Sequence, residues 1–296
     1  MFKMRYYYLL LLPVLVYFIL FHYIPMYGIT LAFKDYSFSL GILKSPWAGF
    51  KYFDRLFSSP TFHEVVRNTV IISFYKIVIS FPVPIIFALL LNEIYHKKIK
   101  RAVQTISYLP HFISWVILSG IIMEVLSPAR GVVNYIITLF GGDPIHFLAE
   151  PKYFRSVLVI THIWQTMGWN SIVYLAAISS ISTEQFDSAY IDGANRFQII
   201  RYITIPSIAS VITVLFILGL GNILNAGFDQ IINLYNPVVY NVADILDTYV
   251  YRVGLVNFEY SYSTAANLFK NAIGFAFVLT ANFIARHIGE GENALW

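Results

Sequence analysis

Ionised side chains are absent from four long stretches of the chain, Tyr6–Phe33, Ala102–Met123, Ser156–Thr183 and Tyr202–Phe228, each of 22 to 28 residues. A helix needs about 20 apolar residues to cross the hydrocarbon core of a bilayer. Two further apolar stretches carry a single cation each, Lys76 and Lys270. The pattern predicts an all-α membrane protein, a single transmembrane domain over 1–296. Its six transmembrane helices are expected at about 6–33, 69–92, 102–126, 156–181, 204–228 and 265–285. The first stretch is nearly twice the length of a signal-peptide core and ends without a small-residue cleavage pattern, so it is expected to remain as a spanning helix. Pro13 and Pro25 lie inside it, which membrane helices tolerate because neighbouring groups re-satisfy the freed backbone.

Charge sets the expected orientation. The loop between the second and third stretches reads His96-Lys97-Lys98-Ile99-Lys100-Arg101. Six crossings put both termini on the side of this loop, which the positive-inside rule makes cytoplasmic. Total Lys and Arg are equal on the two sides; the shorter inner loops carry the higher density. Only 12% of the residues are charged and 58% are hydrophobic, against roughly 25% charged in soluble domains. A soluble enzyme, a disordered chain and a nucleic-acid binder are thereby disfavoured. The absence of cysteine excludes thiolate catalysis and Cys-ligated metal sites.

The outer connections also carry signal. Trp47, Phe50, Phe53 and Phe57 alternate with Lys51, Asp54 and Arg55, which predicts a short amphipathic helix at the interface. The segment from about 229 to 263 is long and rich in tyrosine, a candidate docking surface for an outside partner. No G-x-x-x-x-G-K-[ST] loop is present, so any ATP chemistry must come from another polypeptide.

The most informative loop joins the fourth and fifth stretches. Ser182 or Thr183 can cap a helix that Glu184 and Gln185 begin, and Asp192-Gly193 can end it. Phe186, Ala189 and Tyr190 share one face of that helix. Ile203-Thr204-Ile205-Pro206 then enters the next apolar stretch.

This loop resembles the EAA loop in permease subunits of binding-protein-dependent ABC importers. Asp187-Ser188-Ala189 stands at E-A-A, Asp192-Gly193-Ala194 at D-G-A, and Ile203-Thr204-Ile205-Pro206 at the closing I-x-L-P. Departures are Asp187 for Glu, Ser188 for the first Ala and Ile205 for Leu. Pro25-Met26-Tyr27-Gly28, Ala32-Phe33-Lys34-Asp35-Tyr36, Ser45-Pro46-Trp47, residues 168–177 and Leu295-Trp296 are similar to the LplB-like branch, which holds aldouronate-type and alginate-type oligosaccharide permeases. The resemblance implies the type I importer permease fold in the bacterial cytoplasmic membrane, with no catalysis and no cofactor in this chain. It implies a second permease, two ATPase subunits that bind ATP and Mg, an extracytoplasmic solute-binding protein and an oligosaccharide cargo, uronate-containing forms included. Glu184, Phe186, Asp187, Ala189, Tyr190, Asp192, Gly193 and Ala194 are then the expected contacts to the ATPase.

Polar groups within apolar stretches are costly unless they face a bundle interior or a water-filled cavity. His162, Gln165, Thr166 and Trp169 fall at i, i+3, i+4 and i+7, with Asn170 beside them; Asn222, Asn225 and Asp229 form a second set. Planar amides, imidazole and indole suit sugar hydroxyls and sugar C–H faces, so both sets are candidate substrate contacts. Bonding between helices is the alternative role. Of the charges at membrane depth, Glu124 is expected to pair with a lysine in the bundle, and Lys76 or Lys270 could meet a uronate carboxylate. His22 and His111 are expected as packing groups. Other readings are a different small solute, a secondary transporter or channel, and an intramembrane transferase; the last would need a catalytic pair at membrane depth, which the sequence does not contain.

Overall fold

The computed structural model describes residues 5–221 and 224–288. These residues are helical apart from turns and loops, and the extended pairing among them is one isolated bridge between Lys34 and Trp47. Asn222 and Leu295-Trp296 lie outside the described residues.

Two continuous helices are long and apolar enough to cross a bilayer, Tyr7–Phe33 and Pro60–Asn92. The Pro151–Ser179 and Tyr260–Ile288 helices have 29 residues each, about 43 Å of helix at 1.5 Å per residue. The stretch expected as one helix over 102–126 is instead two, Lys97–Phe112 and Trp115–Val125, meeting at 106°. Pro110 sits in a tight turn before the break, and Ile113 and Ser114 adopt extended backbone. The next expected helix, 204–228, is also interrupted. Arg196–Ser207 and Ala209–Leu220 meet at 62°, and residues 225–227 are not helical.

Proline explains a recurring feature of these long helices. Wider π turns occupy Ile19–Tyr23, Lys76–Ser80 and Ile200–Thr204. Each stands two residues before a proline: Pro25, Pro82 and Pro206. A proline ring inside a helix removes one N–H and crowds the carbonyl four residues earlier. Shifting the preceding turn to the wider register accommodates both effects without ending the helix.

The chain divides into two compact units. The first comprises residues up to 63 and Tyr249–Ala272. Lys34 Nζ donates to the carbonyls of Ile42 and Leu43 at 2.8 and 3.2 Å, and Ser261 Oγ donates to Lys34 O at 2.6 Å. The expected amphipathic segment is the Lys51–Phe57 helix; Leu56 is fully buried, while Trp47 and Phe50 are exposed. Asp35 pairs with Lys51 at 2.7 Å and accepts from the Tyr52 hydroxyl at 2.6 Å. Those hydrogen bonds hold the Asp35 carboxyl below its ordinary range. Phe57, Phe62 and Phe269 pack edge to face.

The second unit, Glu64–Thr248 and the chain from 273, holds the larger core. One cluster joins Ile72, Leu118, Phe154, Leu158, Ile231 and Ile245; another joins Ala88, Leu91, Tyr174, Ile178 and Ile208. Buried polar groups bind these layers together. Arg155 donates to Asn68 Oδ1 at 2.8 Å and to Val242 O at 3.1 Å, and Asn68 Nδ2 donates to Asn241 O at 3.1 Å. Glu124 does not meet a bundle lysine. It pairs with Arg130 at 3.2 Å, both side chains exposed, because the Trp115–Val125 helix ends there and the chain turns back through Arg130.

Candidate functional site: a membrane-depth cavity and an exposed loop helix

The Pro151–Ser179 helix presents His162, Thr166, Trp169 and Asn170 to one cavity of about 360 Å³. Lys76, Ser80, Phe81 and Pro84 of the Pro60–Asn92 helix line the same cavity, with Tyr174, Leu215 and Gly219. This volume falls within the range of small-ligand sites. Thr166 Oγ1 donates to His162 O at 2.8 Å, a bond along its own helix. Trp169 has one ring face covered by the His111 imidazole, stacked at 4.6 Å and 3°. Phe112 meets the indole edge-on at 5.3 Å. His111 is therefore a packing partner of a cavity residue, brought there by the break after Phe112.

Four of the five polar residues read from this helix thus share a cavity. Gln165 is buried and does not line it. The second set behaves differently. Asn225 lies in the non-helical segment and is exposed, and Asp229 is exposed in the first turn of the Phe228–Leu234 helix. Asn225 and Asp229 do not share one helical face, because residues 225–227 are not helical and Gly227 takes φ +99°, which breaks the helical spacing; Asn222 lies outside the described residues.

Sequence reasoning passed over Gln230, one residue beyond that set. Its side chain is 1% exposed. Nε2 donates to Leu158 O and Thr161 Oγ1, both at 2.8 Å, and Oε1 accepts from Lys76 Nζ at 2.6 Å. Lys76 Nζ also donates to Ala226 O at 2.6 Å. A Cβ on Gly227 would stand 2.6 Å from that nitrogen, so glycine is needed there for both space and conformation. A lone Gln in an apolar run was the available signal, but the Asn and Asp around it obscured it.

The loop helix forms where the sequence places it, at Thr183–Ile191. Ser182 Oγ accepts from Glu184 N at 3.3 Å, and Gly193, at φ +75°, follows Asp192 at its end. Asn195 and Gln198 close a reciprocal capping box over the next helix, at 2.9 and 2.7 Å, a device absent from the sequence reading. Glu184, Asp187, Asp192 and Gly193 are exposed, and Phe186, Ala189 and Ala194 are half-buried. Tyr190, Ile191 and Phe197 are 57%, 87% and 70% exposed. Arg196 braces the loop against the turn that follows the Pro60–Asn92 helix, 3.4 Å from Glu93 and 5.5 Å from the Tyr95 ring. Tyr190, Ile191 and Phe197 thus leave apolar surface exposed on the capped loop.

Residues 80–289 match the family described as binding-protein-dependent transport system inner membrane component. The polygalacturonan/rhamnogalacturonan transport system permease protein YteP of Bacillus subtilis (strain 168) is 44% identical over 288 residues, 97% of this chain and 90% of that protein. Protein LplB of the same organism is 44% identical over 279 residues, covering 94% and 88%. Among solved structures, a bacterial ABC transporter involved in the import of the acidic polysaccharide alginate matches with TM-score 0.91 and 43% identity, covering 97% of each chain. A bacterial alginate ABC transporter in complex with an alginate pentasaccharide-bound periplasmic protein matches with TM-score 0.90. The family match over most of the chain and these near full-length similarities agree with the all-helical fold and the loop motif, and the chain belongs to the family of binding-protein-dependent transport system inner membrane components.

Proposed function

We propose that this chain is one transmembrane permease of an ATP-driven importer that carries an oligosaccharide, uronate-containing chains included, from a solute-binding protein to the cytoplasm. The observation that carries this reading is the near full-length similarity, at 43–44% identity, to permeases whose names concern polygalacturonan and alginate, both acidic polysaccharides. The cavity lined by His162, Thr166, Trp169 and Asn170 is the proposed sugar passage; Gln165, Asn222, Asn225 and Asp229 complete the proposed contact set. Hydroxyl groups leaving water need replacement hydrogen bonds, which amides, imidazole and a threonine hydroxyl supply.

In this reading the chain makes six crossings of the bacterial cytoplasmic membrane, with both termini inside. It pairs with a second permease, and two separate ATPase subunits hold ATP and Mg. The Thr183–Ile191 helix docks on an ATPase through Phe186, Ala189 and Tyr190, with Asp187 facing a basic group. Closure of the ATPases moves this helix, and the long helices around the cavity change between inward- and outward-open arrangements. Such coupling needs one rigid element whose position both sites bias. Uptake of labelled trigalacturonate by proteoliposomes holding the complete complex tests the reading. Accumulation that requires ATP and the binding protein is expected. Uptake by this chain alone without ATP would identify a secondary transporter or channel instead.

A further inference from the structure

The strongest unexplained feature of the cavity is its cation. Lys76 is 9% exposed, and its two acceptors, Ala226 O and Gln230 Oε1, are both neutral and both 2.6 Å away. Distances this short suit a charged donor. Gln230 cannot be turned the other way, because its amide nitrogen is committed to two acceptors on the 151–179 helix. No ion pair involving Lys76 occurs among the described residues. An ammonium has three donors; two are used, and Lys76 is one of the residues lining the cavity. One helical turn further on, Ser80 lines the same cavity. Its side chain is 8% exposed and its hydroxyl is buried without a hydrogen-bond partner. The π turn Lys76–Ser80 begins and ends on these two residues.

A buried cation without a counter-anion and a buried hydroxyl without a partner are each costly. Their presence in the lining of one cavity, together with His162, Thr166 and Asn170, calls for a ligand that brings a negative charge and several acceptor oxygens. We propose that Lys76 and Ser80 form a carboxylate subsite that receives the acid group of a uronate unit during passage, and that this subsite makes the permease favour acidic over neutral or esterified oligosaccharides. The inference rests on the oligosaccharide reading above and adds the group that selects for charge. Gln230 and Ala226 are positioning partners: they hold the ammonium at the wall without neutralising it.

The test is uptake of trigalacturonate and of its methyl ester by proteoliposomes holding the complete complex, expressed per inserted complex. The wild type, Lys76→Gln, Lys76→Arg and Ser80→Ala are compared. Exchanging a charge-assisted bond for a neutral one should lower the acid-to-ester uptake ratio at least about tenfold in Lys76→Gln. Loss of one neutral donor in Ser80→Ala should lower it by roughly threefold. Lys76→Arg should retain more acid uptake than Lys76→Gln, since it keeps the charge. Equal loss of acid and ester uptake in Lys76→Gln, with Lys76→Arg no better, would make Lys76 only a brace for the broken helix and overturn the proposal. Where the wild type imports the acid but not the ester, the ranking of the Arg and Gln variants decides by itself. A wild type that imports the ester at least as well as the acid would overturn the uronate reading itself, and this inference with it.

Discussion

The loop helix at 183–191 and the supporting segment at 225–230, whose Ala226 and Gln230 bind the cavity residue Lys76, carry the two ends of the proposed transport cycle, and their local physics is opposite. Apart from the brace of Arg196 on Glu93 and Tyr95, the loop is built from contacts close in sequence: Ser182 caps it, Gly193 at φ +75° ends it, and Asn195 with Gln198 opens the next helix. Its apolar face is left exposed. The supporting segment is built from contacts distant in sequence: Lys76 reaches Ala226 and Gln230, and Gln230 reaches Leu158 and Thr161. A docking element benefits from holding its shape without help, whereas a passage must be assembled from helices able to move apart.

The sharpest way to break this comparison is at the loop. Proline cannot adopt the positive φ of Gly193, a misfit of about 3 kcal/mol or more and so roughly a hundredfold loss of properly formed loop. Gly193→Pro should abolish uptake while leaving insertion intact, as measured by membrane-fraction yield beside transport; Asp187→Lys should act the same way. Normal uptake in both would remove the loop from the mechanism.

In the supporting segment, Gly227→Ala combines a strained conformation with a Cβ 2.6 Å from Lys76 Nζ. Such strain is worth about 1–3 kcal/mol. Uptake should fall by roughly tenfold, and the thermal midpoint of the purified complex should fall with it, because Ala226 and Ile231 beside it pack in the core. An alanine at 227 with unchanged stability would mean that Lys76 readily takes another position.

The Asn170→Ala variant sharpens the comparison further. This residue lines the cavity and is exposed, so a contribution of about 0.5–1.5 kcal/mol from one sugar contact would appear as a twofold to tenfold rise in the substrate concentration for half-maximal uptake. Folding should be unaffected by the same change, as thermal melting would show. An unchanged concentration dependence would place the sugar elsewhere.

The division explains what could be read in the sequence. The loop helix was legible because capping residues, a terminating glycine and an i, i+3, i+4 face are all local signals. The cavity face of the 151–179 helix was legible for a similar reason: one uninterrupted helix keeps His162, Thr166 and Trp169 in register. The second polar set was not. Its reading assumed unbroken helix through 229, whereas Gly227 interrupts it and turns Gln230, rather than Asn225 or Asp229, into the core. The break after Phe112 was equally hidden, since Pro110 in a membrane helix more often bends than ends it. Glu124 was assigned a buried partner on burial alone and instead meets Arg130, six residues away on the surface.

The smallest expected effect lies outside both regions. Asp35 is held below its ordinary value by Lys51 and Tyr52, so its contribution to stability is complete above the ordinary carboxylate range and is lost as the pH falls through the lowered value. The pair is exposed, and such pairs contribute little. Asp35→Asn should leave uptake unchanged and flatten a slight acid-side decline in melting temperature; a large loss of uptake would show that this segment takes part in transport.

The most direct measurement of the central claim, that energy enters through the exposed loop helix, uses the absence of cysteine from the chain. A single Phe186→Cys carries a photoreactive maleimide in the assembled complex. Illumination should join this chain to an ATPase subunit and block ATP-driven uptake, while the same label on an exposed residue such as Leu43→Cys should do neither. Labelling of lipid alone at position 186, or full uptake after cross-linking to the ATPase, would contradict the claim.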